Sequence, residues 1–472
     1  MMFSYREYRR ATAEKLAAET GPVSRRFPAG FSRYYNRCLG KILDHIIEPG
    51  KRVICYGNAF PAARSVHPVR GLEVHPRPRA PASPGWWRLA ADSARPPFRE
   101  YIPDYILYLN TLDRIFDLED SFRASRDLAD RHTRLVIIHR NWIWRPLFAA
   151  AARLGWGSDR ERRAWLSRQD IVNMLHLAGF RVVKSYSDIL VPVGVPIVSE
   201  LINRWVARLP GINRLSLAQI LIARIDEPDP RQYSVSIVIP CRNEKENIAA
   251  AVERIPELGS RTEIIFVDDN SSDGTPEEVR SWIGRRPDRE IKLLSSVGQG
   301  KARAVWTGFD RASGEVLIIL DADLTVPPEE LPRFYRVLAD GRGEMINGSR
   351  LIYPIEGEAM RGLNIVGNRL FSGLLSYLLD QRIKDTLCGT KALFARDFRR
   401  IRERCLGKWG IEDRWGDFEL LFGASRLNLE IVDVPVHYLE RIFGSTKMKK
   451  VFSHGWRMLR MSLKAMVRLK YY

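Results

Sequence analysis

Cysteine is scarce in this chain: five in 472 residues. They are scattered and odd in number, with neither metal-site spacing nor a disulfide framework. Cys38, Cys55, Cys388 and Cys405 therefore read as small buried apolar residues. Long apolar runs are also lacking. None approaches the roughly 20 residues that a membrane-spanning helix needs. The longest candidate, Ile189 to Val198, is short and holds two prolines. The N-terminus, Met1-Met2-Phe3-Ser4-Tyr5-Arg6-Glu7, has no apolar core of the signal-peptide kind. These absences predict a reducing, cytoplasmic location. No interleaved basic and aromatic module is present, so nucleic acid is not an expected partner. Acid is in short supply too. Against 75 Lys and Arg stand 56 Asp and Glu, a net charge of +19. That excess points to an anionic partner: a membrane surface, nucleic acid or a phosphorylated substrate.

What the chain does have is Asp321-Ala322-Asp323. Val316 to Leu320 is a short continuous apolar run bounded by Gly314, the pattern of a buried parallel strand. Two carboxylates at i and i+2 then stand at its carboxyl end. In open α/β sheets ligands bind at that edge. Magnesium or manganese usually takes one or two carboxylates plus substrate phosphates. The stretch reads as a metal-diphosphate site with Asp321 and Asp323 as ligands; the alternative is a solvated turn.

Two further strands end in similar chemistry. Val235 to Ile239 runs into Pro240-Cys241-Arg242-Asn243-Glu244. The helix after it shows Ile248, Ala251, Val252 and Ile255 at the spacing of one buried face. Glu263 to Val267 runs into Asp268-Asp269-Asn270-Ser271-Ser272-Asp273-Gly274-Thr275. Thr275 is placed to cap the next helix, with Pro276 at its first position and Glu278 closing a capping box. Strand, helix, strand, helix, strand predicts a right-handed parallel α/β unit. Its carboxyl edge carries Glu244, Asp269, Asp321 and Asp323.

These motifs resemble glycosyltransferase family 2, most closely its dolichol- and polyprenyl-phosphate mannose synthase type. Later segments extend the resemblance: Asn347-Gly348-Ser349-Arg350, Asp385-Thr386-Leu387-Cys388-Gly389-Thr390-Lys391 and Glu440-Arg441-Ile442-Phe443-Gly444-Ser445-Thr446-Lys447. It covers about 233–450. The resemblance implies a GT-A fold and inverting transfer from a nucleotide-diphosphate sugar. It further implies that Pro240, Arg242, Glu244, Val267 and Asp269 hold the nucleoside. Asp321, Ala322 and Asp323 form the metal-bearing motif. Arg350, Arg441 and Lys447 face phosphates or sugar. The family often has Tyr in place of Arg242 and Gln in place of Thr325. Gly298-Gln299-Gly300-Lys301 lacks the glycine spacing of a Walker loop. It reads as the turn into a helix, with Lys301 a candidate donor-phosphate contact.

The acceptor decides whether a catalytic base is needed. A hydroxyl needs one; a phosphate monoester, with a second pKa of about 6, is already anionic. Asp385, Asp417 and Glu419 are the catalytic candidates near the acceptor. If 417–419 is extended, one carboxylate points to the site; if helical, both read as surface charges. Polyprenyl phosphate or another lipid-linked acceptor is the expected second substrate.

Residues 1–215 read as a separate domain, 216–232 as a linker, 233–443 as the GT-A domain and 444–472 as a tail. The first domain offers strands at Arg52 to Tyr56, Asp104 to Leu109 and Thr133 to His139. A helix at Asp170 to Leu177 and the close Ala178 to Val183 follow. This order resembles a Rossmann-like class I S-adenosylmethionine-dependent methyltransferase. Such a fold needs a glycine-rich loop after the first strand. Here Gly57-Asn58-Ala59-Phe60-Pro61 has one glycine. His75 stands where an acid should bind ribose, with Glu73 two residues early. Residues 76–103 hold seven prolines where a helix should form. The domain reads as a methyltransferase-like scaffold without catalysis, and S-adenosylmethionine is not an expected cofactor.

From Gly444 to Tyr472 there are eight Lys or Arg and no acid. Arg457, Arg460, Lys464 and Arg468 share one helical stripe; Trp456, Leu459, Leu463, Met466 and Val467 share its neighbour. A basic amphipathic helix reads as peripheral on an anionic membrane surface, on the cytoplasmic face. The alternative is a helix packed on the preceding domain. Leu363 to Leu379 is a second candidate, either flanking a lipid acceptor or core.

Overall fold

The computed structural model describes residues 29–56, 70–74, 86–89, 101–115, 117–154, 165–228, 231–296, 300–353, 362–410, 413–441, 443 and 451–471. The chain divides between Asp226 and Glu227 into two compact units, with 471–472 grouped with the first. Both are α/β, each built on a seven-stranded mixed sheet.

The first unit has strands β1 (Arg52–Tyr56), β2 (Arg70–Val74), β3 (Trp86–Leu89), β4 (Tyr105–Leu109), β5 (Arg134–Arg140), β6 (Phe180–Asp188) and β7 (Ala218–Ile225). Its described helices include α1 (Ala29–Ile46), α2 (Leu118–Leu128), α3 (Arg145–Arg153) and α4 (Arg168–Leu177). The sheet order is β3-β2-β1-β4-β5-β7-β6. β1 to β5 are parallel, whereas β7 runs antiparallel to β5 and β6 antiparallel to β7. The parallel part follows the doubly wound order, with its switch point between β1 and β4. β1, β4 and β5 are near-continuous apolar runs because both faces are covered. One core lies on each side of the sheet.

The 216–232 linker expected from the sequence is corrected here. Residues 218–225 are β7, wholly buried between β5 and β6. The stretch resembled a junction because its polar end, Asp226-Glu227-Pro228, follows directly on an interior strand. Gly57 to Pro61 and His75 lie outside the described residues.

The second unit has β8 (Val235–Cys241), β9 (Thr262–Asp268), β10 (Glu290–Ser295), β11 (Val316–Ile319), β12 (Met345–Ser349), β13 (Lys391–Phe394) and β14 (Ile431–Pro435). Its described helices include α5 (Lys245–Arg254), α6 (Thr275–Arg285), α7 (Lys301–Arg311), α8 (Leu331–Ala339), α9 (Gly362–Leu379), α10 (Ala395–Arg404), α11 (Asp417–Arg426) and α12 (Val451–Leu469). The order is β10-β9-β8-β11-β13-β12-β14. β8 to β11 pair in parallel, and β13 lies antiparallel between β11 and β12. The switch point falls between β8 and β11.

α12 is not a detached tail. Met458, Met461, Ala465 and Leu469 are buried in the same core as α9 and α11. The sequence grouped Trp456, Leu463 and Val467 as its apolar stripe, yet these are exposed, and Leu459 and Met466 are half-buried. The buried stripe lies one helical step around. α9 divides likewise: Leu375, Leu378 and Leu379 are core, while Leu370 is exposed. No helix among the described residues is long and apolar enough to cross a membrane.

Candidate active site

β8 and β9 end side by side, and their loops are stitched together. Asn243 takes a left-handed conformation, which asparagine tolerates. Its backbone N–H donates to Ser271 Oγ at 2.9 Å, and its side-chain oxygen accepts from Ser272 N at 2.9 Å. The capping box expected at Thr275 does not form. The Thr275 hydroxyl accepts from Glu244 N at 3.0 Å, and Glu278 accepts from Trp282 Nε1 at 2.9 Å. Thr275 ties the two loops together instead. Glu244 accepts from Asn247 Nδ2 at 2.8 Å, Pro240 is half-buried and Arg242 is exposed. Asp269 bonds the Ser296 hydroxyl and accepts from Gly300 N at 3.1 Å. The Val267 side chain is wholly buried in the core, and its carbonyl accepts from Cys241 Sγ.

β11 delivers the paired carboxylates. Ala322 between them is buried in the opposite core, so the backbone alternates Asp321 and Asp323 out of that core. Asp321 lies 2.5 Å from Lys301 Nζ, and Asp323 lies 2.6 Å from an Arg441 guanidinium nitrogen. Thr325 closes the turn, donating its N–H and hydroxyl to Asp323 Oδ1 at 3.2 and 2.9 Å. The two carboxylates differ electrostatically. Burial would raise Asp321, but the Lys301 ammonium outweighs it and holds this carboxyl low. Burial, then the charge of Asp321, pushes Asp323 up against the pull of Arg441. Lys301 is the first residue of α7, as its glycine turn predicted. Gly389 packs so closely that an added Cβ would overlap the Asp321 carboxylate and the Lys301 ammonium. That contact explains a glycine in the 385–391 motif.

Asp385 and Arg350 are brought together as one buried pair. Asp385 is fully buried and accepts from Arg350 Nε at 2.7 Å, another Arg350 guanidinium nitrogen at 2.9 Å and Arg350 N at 3.0 Å. Asn368 Nδ2 and Leu387 N add bonds of 2.7 and 2.9 Å. Burial opposes ionisation, but Arg350 and these donors hold the carboxyl well below its usual range. A carboxylate so held is a poor proton acceptor at neutral pH. Arg350 is turned onto Asp385 and lies over the Tyr438 ring, 5.0 Å from its centroid. Asp385 thus positions the 385–391 segment.

Asp417 and Glu419 lie on α11, and both are buried, not the surface charges expected of a helical stretch. Asp417 sits 3.0 Å from the fully buried Lys391 ammonium. Its charge also reaches Lys301. Glu419 accepts from Gly407 N at 3.1 Å. Burial pushes its carboxyl up to about 7, against that hydrogen bond and with help from Asp413. Asp413, which sequence reasoning missed, accepts from Phe418 N at 2.7 Å and Glu419 N at 3.0 Å. It satisfies the helix start, a role its position before Gly416 and a buried helix makes legible. Asn368 was missed as well. It carries no motif and reaches Asp385 and Thr386 from α9. Lys447 lies outside the described residues.

The site thus gathers hard carboxylate oxygens on β11 and ammonium and guanidinium groups at their flanks. No cluster of three or more His, Cys, Asp or Glu suited to a metal occurs among the described residues. The paired aspartates are the oxygen donor set present, and two such donors suit magnesium or manganese completed by phosphate oxygens.

Residues 236–402 match the family model "Glycosyl transferase family 2". The undecaprenyl-phosphate 4-deoxy-4-formamido-L-arabinose transferases of Yersinia pestis (strain Pestoides F) and Yersinia pseudotuberculosis (serotype O:3, strain YPIII) are each 30% identical over 218 residues. The match spans 45% of this chain and 62% of each relative, less than two thirds of their length. Among solved structures, the mannosyltransferase PcManGT from Pyrobaculum calidifontis, in complex with GDP-Man and Mn2+, is 23% identical. It covers 50% of this chain and 64% of that one, with a TM-score of 0.35. Glucosyl-3-phosphoglycerate synthase from Mycobacterium tuberculosis, in complex with Mn2+, UDP and phosphoglyceric acid, is 18% identical. It covers 50% and 78% of the two chains, with a TM-score of 0.38. The second unit of this chain carries a glycosyltransferase family 2 domain over residues 236–402.

Proposed function

We propose that the second unit is an inverting glycosyltransferase of GT-A type, moving a sugar from a nucleotide-diphosphate donor to polyprenyl phosphate or another lipid-linked acceptor. The observation that carries this reading is the Asp321/Asp323 pair at the sheet's switch point, flanked by Lys301 and Arg441. Pro240, Arg242, Glu244 and Asp269 stand at the neighbouring strand ends, where the nucleoside would lie. A magnesium or manganese ion on Asp321 and Asp323 would neutralise charge growing on the departing diphosphate. Lys301 and Arg441 supply positive charge at the same edge, and both residue types bind phosphate well.

The state of the acceptor-side carboxylates favours a phosphate nucleophile. Asp385 is held ionised by Arg350, and Asp417 faces Lys391. Asp385, so held, is not poised to take a proton from a hydroxyl. A phosphate monoester needs no such base, because it is largely ionised at neutral pH. The names of the Yersinia relatives, undecaprenyl-phosphate transferases, are in keeping with that class of acceptor. Glu419, pushed up to about 7, is the remaining acid–base candidate of the three.

Attachment to an anionic membrane is part of the same reading. α12 buries one face and turns Trp456, Leu463 and Val467 outward beside Arg457, Arg460, Lys464 and Arg468. Packing and membrane contact are therefore compatible on one helix. For the first unit we favour a methyltransferase-like scaffold that binds no S-adenosylmethionine. The doubly wound order supports the fold. At its switch point Tyr56 and Tyr108 stack, with centroids 4.8 Å apart, on the ends of β1 and β4.

The test is a panel of nucleotide-sugar donors with the full chain and manganese, with and without a short polyprenyl phosphate. Release of nucleoside diphosphate together with a glycosylated lipid is expected for one donor. If no donor is turned over, or turnover yields the same soluble product whether or not the lipid phosphate is present, the reading fails.

A further inference from the structure

Between β6 and β7 the first unit makes a long excursion, residues 189–217, anchored in the core by Ile189, Ala207 and Leu217, whose outer part the proposed activity does not use. It is built inside out. Its helical stretch, 198–206, buries Ser199 and Asn203 and exposes Val198, Leu201 and Trp205. The exposed residues fall at i, i+3 and i+7, one face of a helix. A water-facing helix ordinarily shows the reverse pattern. Before it, Val193-Gly194-Val195-Pro196-Ile197-Val198 is exposed at every position, Ile197 at 74%.

This apolar tip is held in shape. Ser199 Oγ donates to Val193 O at 2.6 Å and accepts from Val195 N at 3.0 Å. Asn203 accepts from Val191 N at 2.8 Å and donates to Val191 O at 2.7 Å. At the base, Arg208 pairs with Asp188 at 2.7 Å. Ile197 has a φ of 65°, a costly conformation for a β-branched residue. A second exposed apolar stretch is laced to the excursion's far end. Trp144 Nε1 donates to Leu215 O at 2.7 Å, and Asn141 Nδ2 donates to Arg214 O at 2.8 Å and Ser216 O at 3.0 Å. Next to those bonds Trp142, Ile143 and Leu147 are exposed.

Charge selects what covers this surface. Arg145, Arg204 and Arg214 are exposed along it. Within the excursion the single acid is Glu200, paired with Lys41 at 3.0 Å. Rigid apolar side chains, the exposed Trp142, a half-exposed Trp205 that packs on Tyr471 with ring centroids 4.5 Å apart, and arginines in excess of the one acid match an anionic lipid interface. There apolar groups sink about 5–10 Å and basic groups stay among headgroups. We infer that the 189–217 excursion, with Trp142 and Ile143, is a membrane-docking element that seats the first unit on an anionic bilayer. The inference concerns the same membrane as the lipid-acceptor reading, but it stands on the first unit's own surface.

The test uses the full chain and vesicles of phosphatidylglycerol and phosphatidylcholine. Val195→Asn with Ile197→Asn removes the tip's apolar side chains, and at 197, the centre of a γ-turn (φ 65°, ψ −53°) closed by the Val198 N to Pro196 O bond, it replaces a β-branched residue with an unbranched one. The expected result is an unchanged melting temperature and a fall of at least about tenfold in vesicle partitioning. A Val195→Cys protein carrying a polarity-sensitive dye should shift to the blue on vesicles and be quenched by brominated lipid. Transfer to a short polyprenyl phosphate in detergent should be unchanged in the Asn variant; loss of that transfer in wild type would count against the glycosyltransferase reading alone. Unaltered vesicle binding by the variant, or no dye response, overturns the inference. So does a change of oligomeric state in place of vesicle binding, which would make the tip a protein contact.

Discussion

In both sheets the chain starts in the middle, winds outward through two parallel strands and returns to the first strand's other side. β1, β2 and β3 precede β4; β8, β9 and β10 precede β11. Each unit therefore has a switch point at the carboxyl edge, where such sheets bind ligands. What stands there differs. In the second unit the strand after the switch ends in Asp321 and Asp323, matched by Lys301 and Arg441. In the first, the corresponding strands end in stacked Tyr56 and Tyr108. The Tyr108 hydroxyl is consumed by Ser121 and Ser125 at 2.8 Å each. Topology makes the crevice, and the side chains at the strand ends decide whether it handles charge.

The largest effect that would sharpen this contrast is Asp323→Ala. On the proposed reading, loss of one carboxylate leaves the diphosphate charge uncompensated, and Arg441 loses its bond to Asp323. Turnover should fall by about three orders of magnitude, several kcal/mol in the barrier. The melting temperature should barely move, because burial and the neighbouring Asp321 already disfavour the Asp323 charge. Near-wild-type turnover would remove this pair from the chemistry.

Gly389→Ala should come next. The new methyl overlaps the Asp321–Lys301 pair, and displacing a carboxylate by about an ångström costs on the order of a hundredfold in kcat/KM. Manganese affinity, read by spin resonance on the free protein, should weaken in parallel. An unaffected enzyme would show that Asp321 can shift freely.

How much of this was legible in the sequence follows from range. β8, β9 and β11 were legible because an uninterrupted apolar run ending in acid is a local pattern. The Lys301–Asp321 and Arg350–Asp385 pairs were not, since each joins residues brought together by sheet order. β7 was taken for a linker because its partner β5 lies some eighty residues earlier, and no periodicity announces that pairing. The α12 stripe was misassigned for a related reason. Alternate apolar and basic residues leave two possible faces, and packing against α9 and α11 chooses between them. Asp417 and Glu419 were misjudged because buried charge has no sequence signature without its partner, here Lys391 and the Gly407 N–H.

A smaller effect separates the units by pH. Glu419 is raised from its ordinary value to about 7, so between roughly pH 4.5 and 7 the folded state binds more protons than the unfolded one. Its contribution is present at low pH and lost as pH rises through 7. Glu419→Gln keeps the acceptor for Gly407 N and removes the titration. Above pH 7 the variant should be more stable by on the order of 2 kcal/mol, with no gain at pH 4. Denaturant titrations at the two pH values would show it. Equal stability at both would mean that Glu419 is not held protonated.

The smallest effect concerns α12. Replacing Arg457, Arg460, Lys464 and Arg468 with Gln leaves Met458, Met461, Ala465 and Leu469 in the core. Binding to anionic vesicles should fall at least about tenfold at low salt, since each basic group there contributes about 1 kcal/mol. The difference should shrink as salt screens it. Deleting α12 is the poorer test, because it also removes buried core. If the substituted chain binds vesicles as wild type does, at every salt concentration, α12 is purely structural.

The contrast between the two switch points is tested most directly by calorimetry on one sample of the full chain. Nucleoside diphosphates are titrated in with manganese, and S-adenosylmethionine is titrated in separately. The prediction is saturable binding at one site for one nucleotide, lost in Asp323→Ala, and no saturable heat from S-adenosylmethionine. Micromolar binding of S-adenosylmethionine, with no nucleotide binding or with binding indifferent to Asp323, would contradict the account.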